Sequence, residues 1–521
     1  MRMKTHRLLV AIAAAAPFFG AAAMDFCGNR APDAVTIDGG DPGDQLRIEK
    51  DGRIFLKSQN PVSTVELSWK ADLSDAEKSY RGDWERTYGT MSWGEIDANR
   101  PHPWYCLVKG ADRTDGYGVE VQPAAFARWH VGRDSIRLVL DVRAGNRPVR
   151  LRGRELELCR VVSRRGKPGE RPFIAGREFC RIMCPKPRLP KSPVYGFNDW
   201  YCSYGSNTAE NFFADAKEIV DLCEGLENRP FLVVDDGWQN SKARKGDAAP
   251  ELQWRSHNKF WGMPMDEFCR RVKAMNARPG LWYRPLWDGE LKSKIVDPTD
   301  PRWEKQIRED MACFRAWGIE LVKIDFITFD WGGTWHFKLL DAPYKTVNDW
   351  ADDSRTGAEV VRGLYRTMRE AAGDNVYIIG CNALDHFAAG LFELQRIGDD
   401  TSGKEWSRTR KMGPNTLGMR STHDRTFYAA DADCVALYTR KGIPWRKNRQ
   451  WLDLVARSGT SLFISWKREF LNPEIKEAFR KALKTASKER KTGEPLDWTD
   501  HIRPLEWRFD GEDAVQTYNW N

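Results

Sequence analysis

The sequence lacks the residue patterns that mark several large enzyme classes. It contains no HExxH, GxSxG, Walker-type or GxGxxG pattern in a suitable context, which disfavours zinc proteases, serine hydrolases and nucleotide-binding enzymes. Its eight histidines are scattered without metal-ligand spacing. Cys180 and Cys184 lie close together, but no histidine or second cysteine pair completes a zinc site. We therefore expect neither a metal nor a cofactor.

The sequence also lacks a strong charge of one sign and, beyond its N-terminus, any long apolar run. It has 82 basic and 74 acidic residues, and without residues 1–23 the balance is 79 to 74. Such a mild excess does not indicate a nucleic-acid partner. No later segment is long and apolar enough to span a bilayer, so we expect no membrane contact after residue 23.

The N-terminus, "MRMKTHRLLVAIAAAAPFFGAAAMDF", has the pattern of a secretory signal peptide. Arg2, Lys4 and Arg7 precede a short apolar stretch that ends in the small residues Ala21–Ala23. We predict a signal peptide at residues 1–23 and export to the periplasm or the medium; a membrane anchor is the alternative. Export permits disulfides, but the 11 cysteines are an odd number and leave at least one free thiol.

The 521 residues are enough for two or three domains. Residues 24–190 contain short alternating runs, such as "STVELSW" and "DSIRLVLDVRAG", broken by glycine, proline and aspartate. This pattern predicts an all-β domain of the sandwich type. The proline-rich stretch 184–196 reads as a linker to the next domain.

After the linker, apolar β-type runs alternate with helical patterns such as 301–318 and 354–373, the second ending on Gly373. Eight strand–helix units predict a (β/α)8 barrel at 191–490. The last stretch, 491–521, is β-like and is expected to add strands to a small C-terminal sheet. The predicted strands are 194–200, 230–236, 278–285, 320–326, 376–382, 391–398, 431–437 and 460–465.

The fourth predicted strand, within "LVKIDFITFD", carries two charged residues in an apolar run. Lys323 and Asp325 are two positions apart, so strand alternation places them on the same face. Charged groups are seldom fully buried unless they are paired. We interpret Asp325 as a nucleophile facing a pocket, with Lys323 near enough to keep its carboxylate ionised and to bond a sugar hydroxyl. The alternative is an internal ion pair that stabilises the barrel.

Polar and aromatic side chains follow six of the eight predicted strands, at the barrel end where chemistry collects. Taken singly, each could be a helix cap or a turn residue. Together, carboxylates, tryptophans and cations can grip a polyol and break a glycosidic bond, which predicts a carbohydrate substrate. In strand order these residues are Trp200; Asp235, Asp236 and Trp238; Trp282 and Arg284; Lys323 and Asp325; Asn382; and Arg396, Asp399 and Asp400.

At these positions the chain resembles the retaining α-galactosidase clan, glycoside hydrolase families 27 and 36, and family 36 more than family 27. The matching pieces, in order, are "GFNDWY", "VVDDGW", "GLWYRP", "VKIDF", "IIGCNA", "RIGDDT" and "DADC". They cover roughly residues 194 to 465. The preceding β domain and the trailing β segment also suit family 36. The resemblance implies hydrolysis of α-galactosides by double displacement, without cofactor or metal.

The resemblance implies a role for each matching residue. Asp325 matches the nucleophile, and Lys323 matches the lysine that contacts the sugar two positions before it. Asp235 and Asp236 match the pair that binds galactose O4 and O6. Trp238 belongs to the same piece of sequence and would wall the pocket.

The sixth strand supplies the other half of the implied machinery. Arg396 matches the arginine that binds near O2, and Asp400, four residues later, matches the acid/base. Asp399 is its rival, because a shift of one residue would exchange the two. The third and fifth strands end in "YRP" and "GCNA", where many family 36 enzymes have Glu-Pro and a Cys-Ser-Gly-Gly loop.

We therefore predict an exported retaining α-glycosidase, first of all an α-galactosidase. Related activities remain open: α-N-acetylgalactosaminidase, β-L-arabinopyranosidase or a transglycosylase of the raffinose-synthase type. The alternative from another class is a non-catalytic glycan-binding protein on a decayed barrel. The presence of both carboxylates, Asp325 and Asp400, argues against decay.

Overall fold

The computed structural model describes residues 31–290, 294–334, 349–438 and 441–521. The predicted signal peptide at residues 1–23 lies outside these residues. Within them, no helix is long and apolar enough to cross a membrane. All ten cysteines of this part of the chain are free thiols.

The N-terminal region forms two antiparallel sheets, which confirms the predicted β architecture. The sheets run β1-β4-β11-β10-β7 and β2-β3-β12-β9-β8-β5-β6. Their shared core is rich in buried tryptophan, and the indole N–H of Trp129 donates to the carbonyl of Trp104 at 3.0 Å. The strands are β1 Ala34–Ile37, β2 Leu46–Ile48, β3 Arg53–Lys57, β4 Thr64–Lys70, β5 Lys78–Arg81, β6 Trp93–Gly94, β7 Pro101–Pro103, β8 Tyr105–Lys109, β9 Thr114–Val119, β10 Phe126–Val131, β11 Ser135–Asp141 and β12 Glu155–Arg164.

One helix, α1 (Pro172–Met183), lies in the region predicted to be all-β. Its buried Phe179 packs directly on β9 at Gly116. A Cβ atom at Gly116 would lie 2.5 Å from the ring of Phe179, so glycine is needed for this close approach. The prediction of an all-β region missed this helix.

Eight parallel strands close into a barrel, and each lies within one of the eight predicted runs or overlaps it closely. Trp282 on β15 is the register partner of Lys323 on β16. This pairing places the two residues side by side at the carboxyl end of the barrel. The strands are β13 Tyr195–Asn198, β14 Phe231–Val234, β15 Arg278–Tyr283, β16 Leu321–Ile324, β17 Tyr377–Gly380, β18 Leu394–Arg396, β19 Ala429–Leu437 and β20 Ser461–Trp466.

Six long helices surround the barrel, and short helices lie mainly in its carboxyl-end loops. Thr356 and Glu359 form a capping box at the start of α7, and Gly373 follows its end as predicted. The long helices are α3 Ala209–Leu222, α4 Met265–Ala274, α5 Pro301–Trp317, α7 Gly357–Ala372, α11 Trp445–Arg457 and α12 Pro473–Ala486. The short α-helices are α2 Trp200–Ser203, α6 Ile327–Gly332, α8 Asp385–Ala388, α9 Trp406–Arg410 and α10 Thr416–Arg420, with 3₁₀ helices at Lys242–Arg244, Pro250–Leu252, Ser421–His423 and Arg468–Phe470 and a π-helix at Lys411–Asn415.

The fifth and sixth strand–helix units differ from the regular pattern, because only short helices follow β17 and β18. The N-terminal sheets cover the barrel at this place. The ring of His386 stacks on Trp104 and its Nε2 contacts the carbonyl of Val119 at 3.1 Å. The hydroxyl of Tyr80 donates to the carbonyl of Met419. The β domain thus takes the place of two outer helices and reaches the mouth of the barrel.

The C-terminal stretch forms the small sheet that the sequence predicts. Its strands are antiparallel: β21 (Glu494–Pro495), β22 (Glu506–Arg508) and β23 (Gln516–Thr517). Trp498 packs edge-on against Trp93 of the N-terminal region. The segment therefore packs against the N-terminal region, and it also contacts α11 through the ion pair of Arg457 and Glu512.

Candidate active site

Asp325 follows β16 directly and lies at the floor of the barrel mouth, where 8% of the residue is exposed. Its Oδ2 accepts from the indole N–H of Trp282 at 3.2 Å, and its Oδ1 accepts from the backbone N–H of Phe326 at 2.8 Å. Phe326 has a φ of 62°, in the left-handed region that bulky residues rarely adopt. Backbone strain of this kind is concentrated at functional sites. The carboxylate is therefore held in one orientation by neutral donors.

Lys323 forms its ion pair with Asp235 on the neighbouring strand, with 2.7 Å between Nζ and Oδ2. The same oxygen accepts from the side-chain amide of Asn198 at 2.7 Å. Burial would lower the pKa of Lys323, but the charges of Asp235, Cys381 and Asp325 raise it well above its ordinary value. The lysine is therefore a permanent cation that also acts on Asp325. The ion pair of Lys323 inside the barrel is therefore formed with Asp235 and not with Asp325.

The second predicted carboxylate, Asp236, points away from Lys323 and is paired with Arg244. Its Oδ1 also accepts from the side-chain amide of Gln239 at 2.7 Å. Behind the pair, the buried side chain of Asp199 accepts from the backbone N–H of Asp235 at 2.7 Å. Burial raises the pKa of Asp199 to about 7. Asp235 and Asp236 thus lie together, as predicted, but each is oriented by a different cation.

Arg396 and Asp400 contact each other on the opposite side of the mouth from Asp235 and Asp236. The guanidinium of Arg396 lies 3.1 Å from Oδ1 of Asp400 and 2.7 Å from Oδ2 of Asp433. The side chain of Asp400 is 36% exposed, so it borders the opening. Burial would raise the pKa of this carboxyl, but the cations of Arg396, Arg86 and Lys323 lower it to about 2. At neutral pH the carboxylate of Asp400 is ionised.

Asp399, the rival of Asp400, is paired differently. Its carboxylate bonds to Arg408, and its other oxygen lies 3.7 Å from the guanidinium of Arg86. Its backbone N–H donates to the carbonyl of Thr87 at 2.9 Å. The two neighbouring aspartates therefore have separate arginine partners, Arg408 for one and Arg396 for the other, and share Arg86.

The shared arginine comes from the N-terminal region, which the sequence analysis did not connect to the site. A short bridge between Thr87 and Gly398 fixes the segment on the barrel mouth. Arg86 lies 3.8 Å from Asp400 and donates to the sulfur of Cys381 at 3.1 Å. Its Nε donates to the hydroxyl of Tyr88 at 2.9 Å. No local pattern in "DWERTYG" predicts this, because the contact joins residues about 300 positions apart.

Trp238, which the resemblance assigns to the wall of the pocket, lies buried behind the barrel in this structure. Its side chain is 0% exposed and packs against Trp254 and Phe314 behind the barrel. Its indole N–H donates to the carbonyl of Trp282 at 3.0 Å. Trp238 therefore supports the strand that carries Trp282, and Trp282 is the tryptophan that contacts Asp325.

Asn382, which the sequence predicts to bind substrate, is buried, and its amide is bonded within the protein. The residue is 0% exposed, and its Nδ2 donates to Glu85 at 2.8 Å and to Tyr88 at 2.7 Å. Its Oδ1 accepts from the hydroxyl of Thr328 at 2.8 Å. Asn382 thus links Glu85 and Tyr88 of the N-terminal region to the end of the fifth barrel strand.

Arg284 and Trp200 are the two remaining predicted site residues. Arg284 is buried, forms an ion pair with Asp330 and stacks over the ring of Phe326 at 4.2 Å. It lies beside the nucleophile candidate but is held by another carboxylate. Trp200 is partly exposed at the mouth, with its ring 5.3 Å from that of Tyr204.

A small cavity connects the two halves of the site below the mouth. Its volume is about 10 Å³, room for about one water molecule. No cluster of metal-ligating side chains occurs in the part of the chain that the structure describes. The groups available for chemistry are therefore carboxylates, cations and indole rings. The cavity is lined by Asn198, Lys323, Arg396, Asp431, Asp433 and Phe463, among others.

No protein-family model matches the chain. Among solved structures, an α-galactosidase from Thermus thermophilus in complex with p-nitrophenyl α-D-galactopyranoside aligns with a TM-score of 0.60 at 17% identity, covering 91% of this chain and 96% of that one. The family 36 α-galactosidase AgaB from Geobacillus stearothermophilus aligns with a TM-score of 0.56 at 14% identity, covering 87% and 66%.

A family 97 glycoside hydrolase from Pseudoalteromonas sp. strain K8, in complex with acarbose, aligns with a TM-score of 0.58 at 9% identity and covers 88% and 73% of the two chains. At these identities the likeness concerns the fold. The predicted architecture of an N-terminal β region, an eight-stranded barrel and a C-terminal β segment is confirmed. The neighbours that share it include α-galactosidases of family 36.

Proposed function

We propose that this protein is a retaining α-glycosidase that acts first of all on α-galactosides. The observation that carries the proposal is the meeting of Asp325 and Asp400 in one barrel mouth, both under the influence of Arg86. In the reaction, Asp325 attacks the anomeric carbon and Asp400 protonates the leaving oxygen. A covalent glycosyl-enzyme forms, and Asp400 then takes a proton from the water that hydrolyses it.

The surroundings of the two carboxylates suit these roles. Asp325 accepts from the neutral N–H groups of Trp282 and Phe326, which orient its carboxylate for attack. The cations around Asp400 lower its pKa and so keep the carboxylate ionised, as the base of the second step must be. The first step needs a proton on Asp400, so we expect cleavage to be favoured at acid pH.

The sugar is proposed from the Asp235 and Asp236 pair. Both carboxylates are oriented by protein donors and retain lone pairs for sugar hydroxyls. A pair of acceptors there fits the axial O4 and the free O6 of galactose. The Thermus neighbour, which shares the fold, is an α-galactosidase bound to an α-galactoside.

The test is the ratio of kcat/KM for nitrophenyl α-galactoside and nitrophenyl α-glucoside. An equatorial O4 would leave an acceptor unpaired at about 1–3 kcal/mol, which is a preference of roughly 5- to 150-fold. Asp235→Asn should reduce both the rate and the preference. A wild-type ratio near one would refute the galactose assignment, and a panel of aryl glycosides would then identify the related activity.

Export is part of the proposal and rests on the sequence of residues 1–23 alone. Expression of the full chain in a bacterial host should yield periplasmic protein whose N-terminus follows Ala23. Deletion of residues 1–23 should keep the protein in the cytoplasm. Membrane-bound full-length protein would instead support the anchor alternative.

A further inference from the structure

Two short segments at the barrel mouth have a strong excess of basic over acidic residues. Segments 402–411 and 441–449, together called the basic rim, contain eight lysines and arginines and a single acidic residue, Glu405. The whole chain has a net charge of +8. Most of the excess positive charge of this protein is therefore in these two short segments.

The two segments are joined to each other and to the candidate active site. The backbone N–H of Ile443 donates to the carbonyl of Gly403 at 3.0 Å. Lys404 lies over the rings of Tyr204 and Tyr438, with its Nζ 4.0 and 4.3 Å from their centroids. Tyr204 follows β13, Lys404 follows β18 and Tyr438 follows β19, so the rim lies at the carboxyl end of the barrel. It begins two residues after Asp400, and its first cation, Lys404, is four residues after it.

Some cations of the rim are neutralised, since Arg408 pairs with Asp399 and Arg449 lies 4.0 Å from Glu474, but others are not. Within the described residues, no ion pair involves Lys404, Arg446 or Lys447. Arg446, Lys447 and Arg449 lie at the start of α11, whose first turn contains no acidic residue. Cations at a helix N-terminus oppose the helix dipole and reduce its stability. An anionic ligand on the rim would offset this unfavourable arrangement.

Aromatic rings are interleaved with the cations of the rim. Nζ of Lys447 lies 5.6 Å from the ring centroid of Trp406, and Lys404 lies between two tyrosines. Flat rings suit the apolar faces of sugars, and the flanking cations suit sulfate or carboxylate groups on them. The rim borders Asp400, which is proposed to protonate the leaving oxygen. We therefore expect the ligand of the rim to be part of the leaving group.

We propose that the basic rim binds the leaving-group side of an acidic carbohydrate, one that carries sulfate esters or uronate carboxylates. The position of the ligand on the leaving-group side rests on the proposed function. The binding itself rests on the charge, the location and the aromatic rings of the rim. Sulfated sugars and uronates share one feature, an anionic group on a sugar ring. The experiment below distinguishes them.

Binding is tested by affinity electrophoresis of the full protein in gels that contain a sulfated galactan, its desulfated counterpart, polygalacturonate or double-stranded DNA. The rim variant is Lys404→Met/Arg446→Met/Lys447→Met. The control variant, Lys481→Met/Lys484→Met/Lys488→Met, removes the same charge from exposed positions on and just after α12. The carbonyl of Ser487 bonds to Asn228, just before β14, so the control lies at the opposite end of the barrel.

The wild type and the control should be retarded by the sulfated galactan or by polygalacturonate, and not by the desulfated polymer. The rim variant should bind about tenfold more weakly, the summed effect of three exposed cations. The more retarding polymer identifies the anionic group. Equal retardation of rim variant and wild type, no retardation of the wild type by either acidic glycan, or stronger binding to DNA than to both would overturn the proposal.

A kinetic measurement separates this proposal from the proposed function. Nitrophenyl α-galactoside has a small neutral leaving group, so the rim variant should hydrolyse it within about twofold of wild type. A larger loss would mean that the rim acts on the catalytic site itself and would overturn its assignment as a distal subsite. A wild type that does not cleave nitrophenyl α-galactoside would count against the proposed function only, since the binding comparison needs no turnover.

Discussion

The two sides of the barrel mouth differ in charge. On the side of β13 to β16, carboxylates outnumber cations, and the pKa of one carboxyl, Asp199, is raised to about 7 by burial. On the side of β18 and β19, arginines surround the carboxylates, and the pKa of Asp400 is lowered to about 2. The first side holds Asp199, Asp235, Asp236, Asp325 and Asp330 with Lys323, Arg244 and Arg284; the second holds Asp399, Asp400, Asp431 and Asp433 with Arg86, Arg396 and Arg408.

This difference divides the reaction between the two sides. The nucleophile candidate is on the side where neutral N–H groups orient it, and the proton carrier candidate is on the side where cations control its charge. One of those cations, Arg86, is supplied by the N-terminal region. The β domain is therefore part of the proposed active site as well as a cover for the barrel.

The largest expected effect is the loss of Asp325. Asp325→Ala should reduce kcat by about 10⁴- to 10⁶-fold, because it removes a covalent nucleophile. The circular dichroism spectrum should stay that of the wild type. Azide or formate should restore turnover of nitrophenyl α-galactoside with inversion at the anomeric carbon. Near-normal activity without rescue would contradict the division of roles.

The next effect tests which aspartate carries the proton. Asp400→Ala should slow substrates with poor leaving groups by about 10²- to 10⁴-fold and spare activated aryl substrates in the first step. Asp399→Ala, the matched control one residue away, should show no dependence on the leaving group. The reverse pattern would assign the proton to Asp399.

A smaller effect is expected when the shared cation is removed. Arg86→Met should raise the pKa of Asp400 by about one unit, because an opposite charge no longer favours the ionised form. The pH above which kcat/KM declines, measured with a substrate that needs protonation, should then move upward by the same amount.

Two further variants make the Arg86 result specific. Arg86→Lys keeps the charge and should keep the wild-type pH profile. Arg408→Met removes the partner of Asp399 and should leave the profile of Asp400 unchanged. A shift caused by Arg408→Met, with none caused by Arg86→Met, would show that the charge control acts through Asp399.

The sequence predicted the barrel well because each strand is a short apolar run between helical patterns. It also predicted that Asp325, Lys323, Arg396 and Asp400 lie at one end of the barrel, since parallel strands end at the same edge. It could not predict which side chains at that edge face the opening. Such a direction depends on packing partners that are distant in sequence.

Asn382 and Trp238 illustrate this limit. Asn382 turns to Glu85 and Tyr88, which come from another domain, and Trp238 turns to the ring of Trp254. Both follow barrel strands, as Asp325 and Asp400 do, so position along the chain does not predict which side chains are buried behind the opening. For the same reason Arg86 was missed, because it reaches the site through an irregular segment after β5.

The last prediction concerns stability rather than rate, on the side that holds Asp199. The pKa of Asp199 is about 7 in the folded protein and about 3.9 in an unfolded chain, so between these values only the folded state keeps the proton. The stabilisation is complete below pH 4 and is lost as the pH rises through 7, at most about 4 kcal/mol. Asp199→Asn carries a neutral amide at every pH and should flatten this dependence. Thermal midpoints at pH 5 and pH 8 measure it, with the exposed Asp221→Asn as control; an equal decline in wild type and Asp199→Asn would show that the carboxyl is already ionised at pH 5.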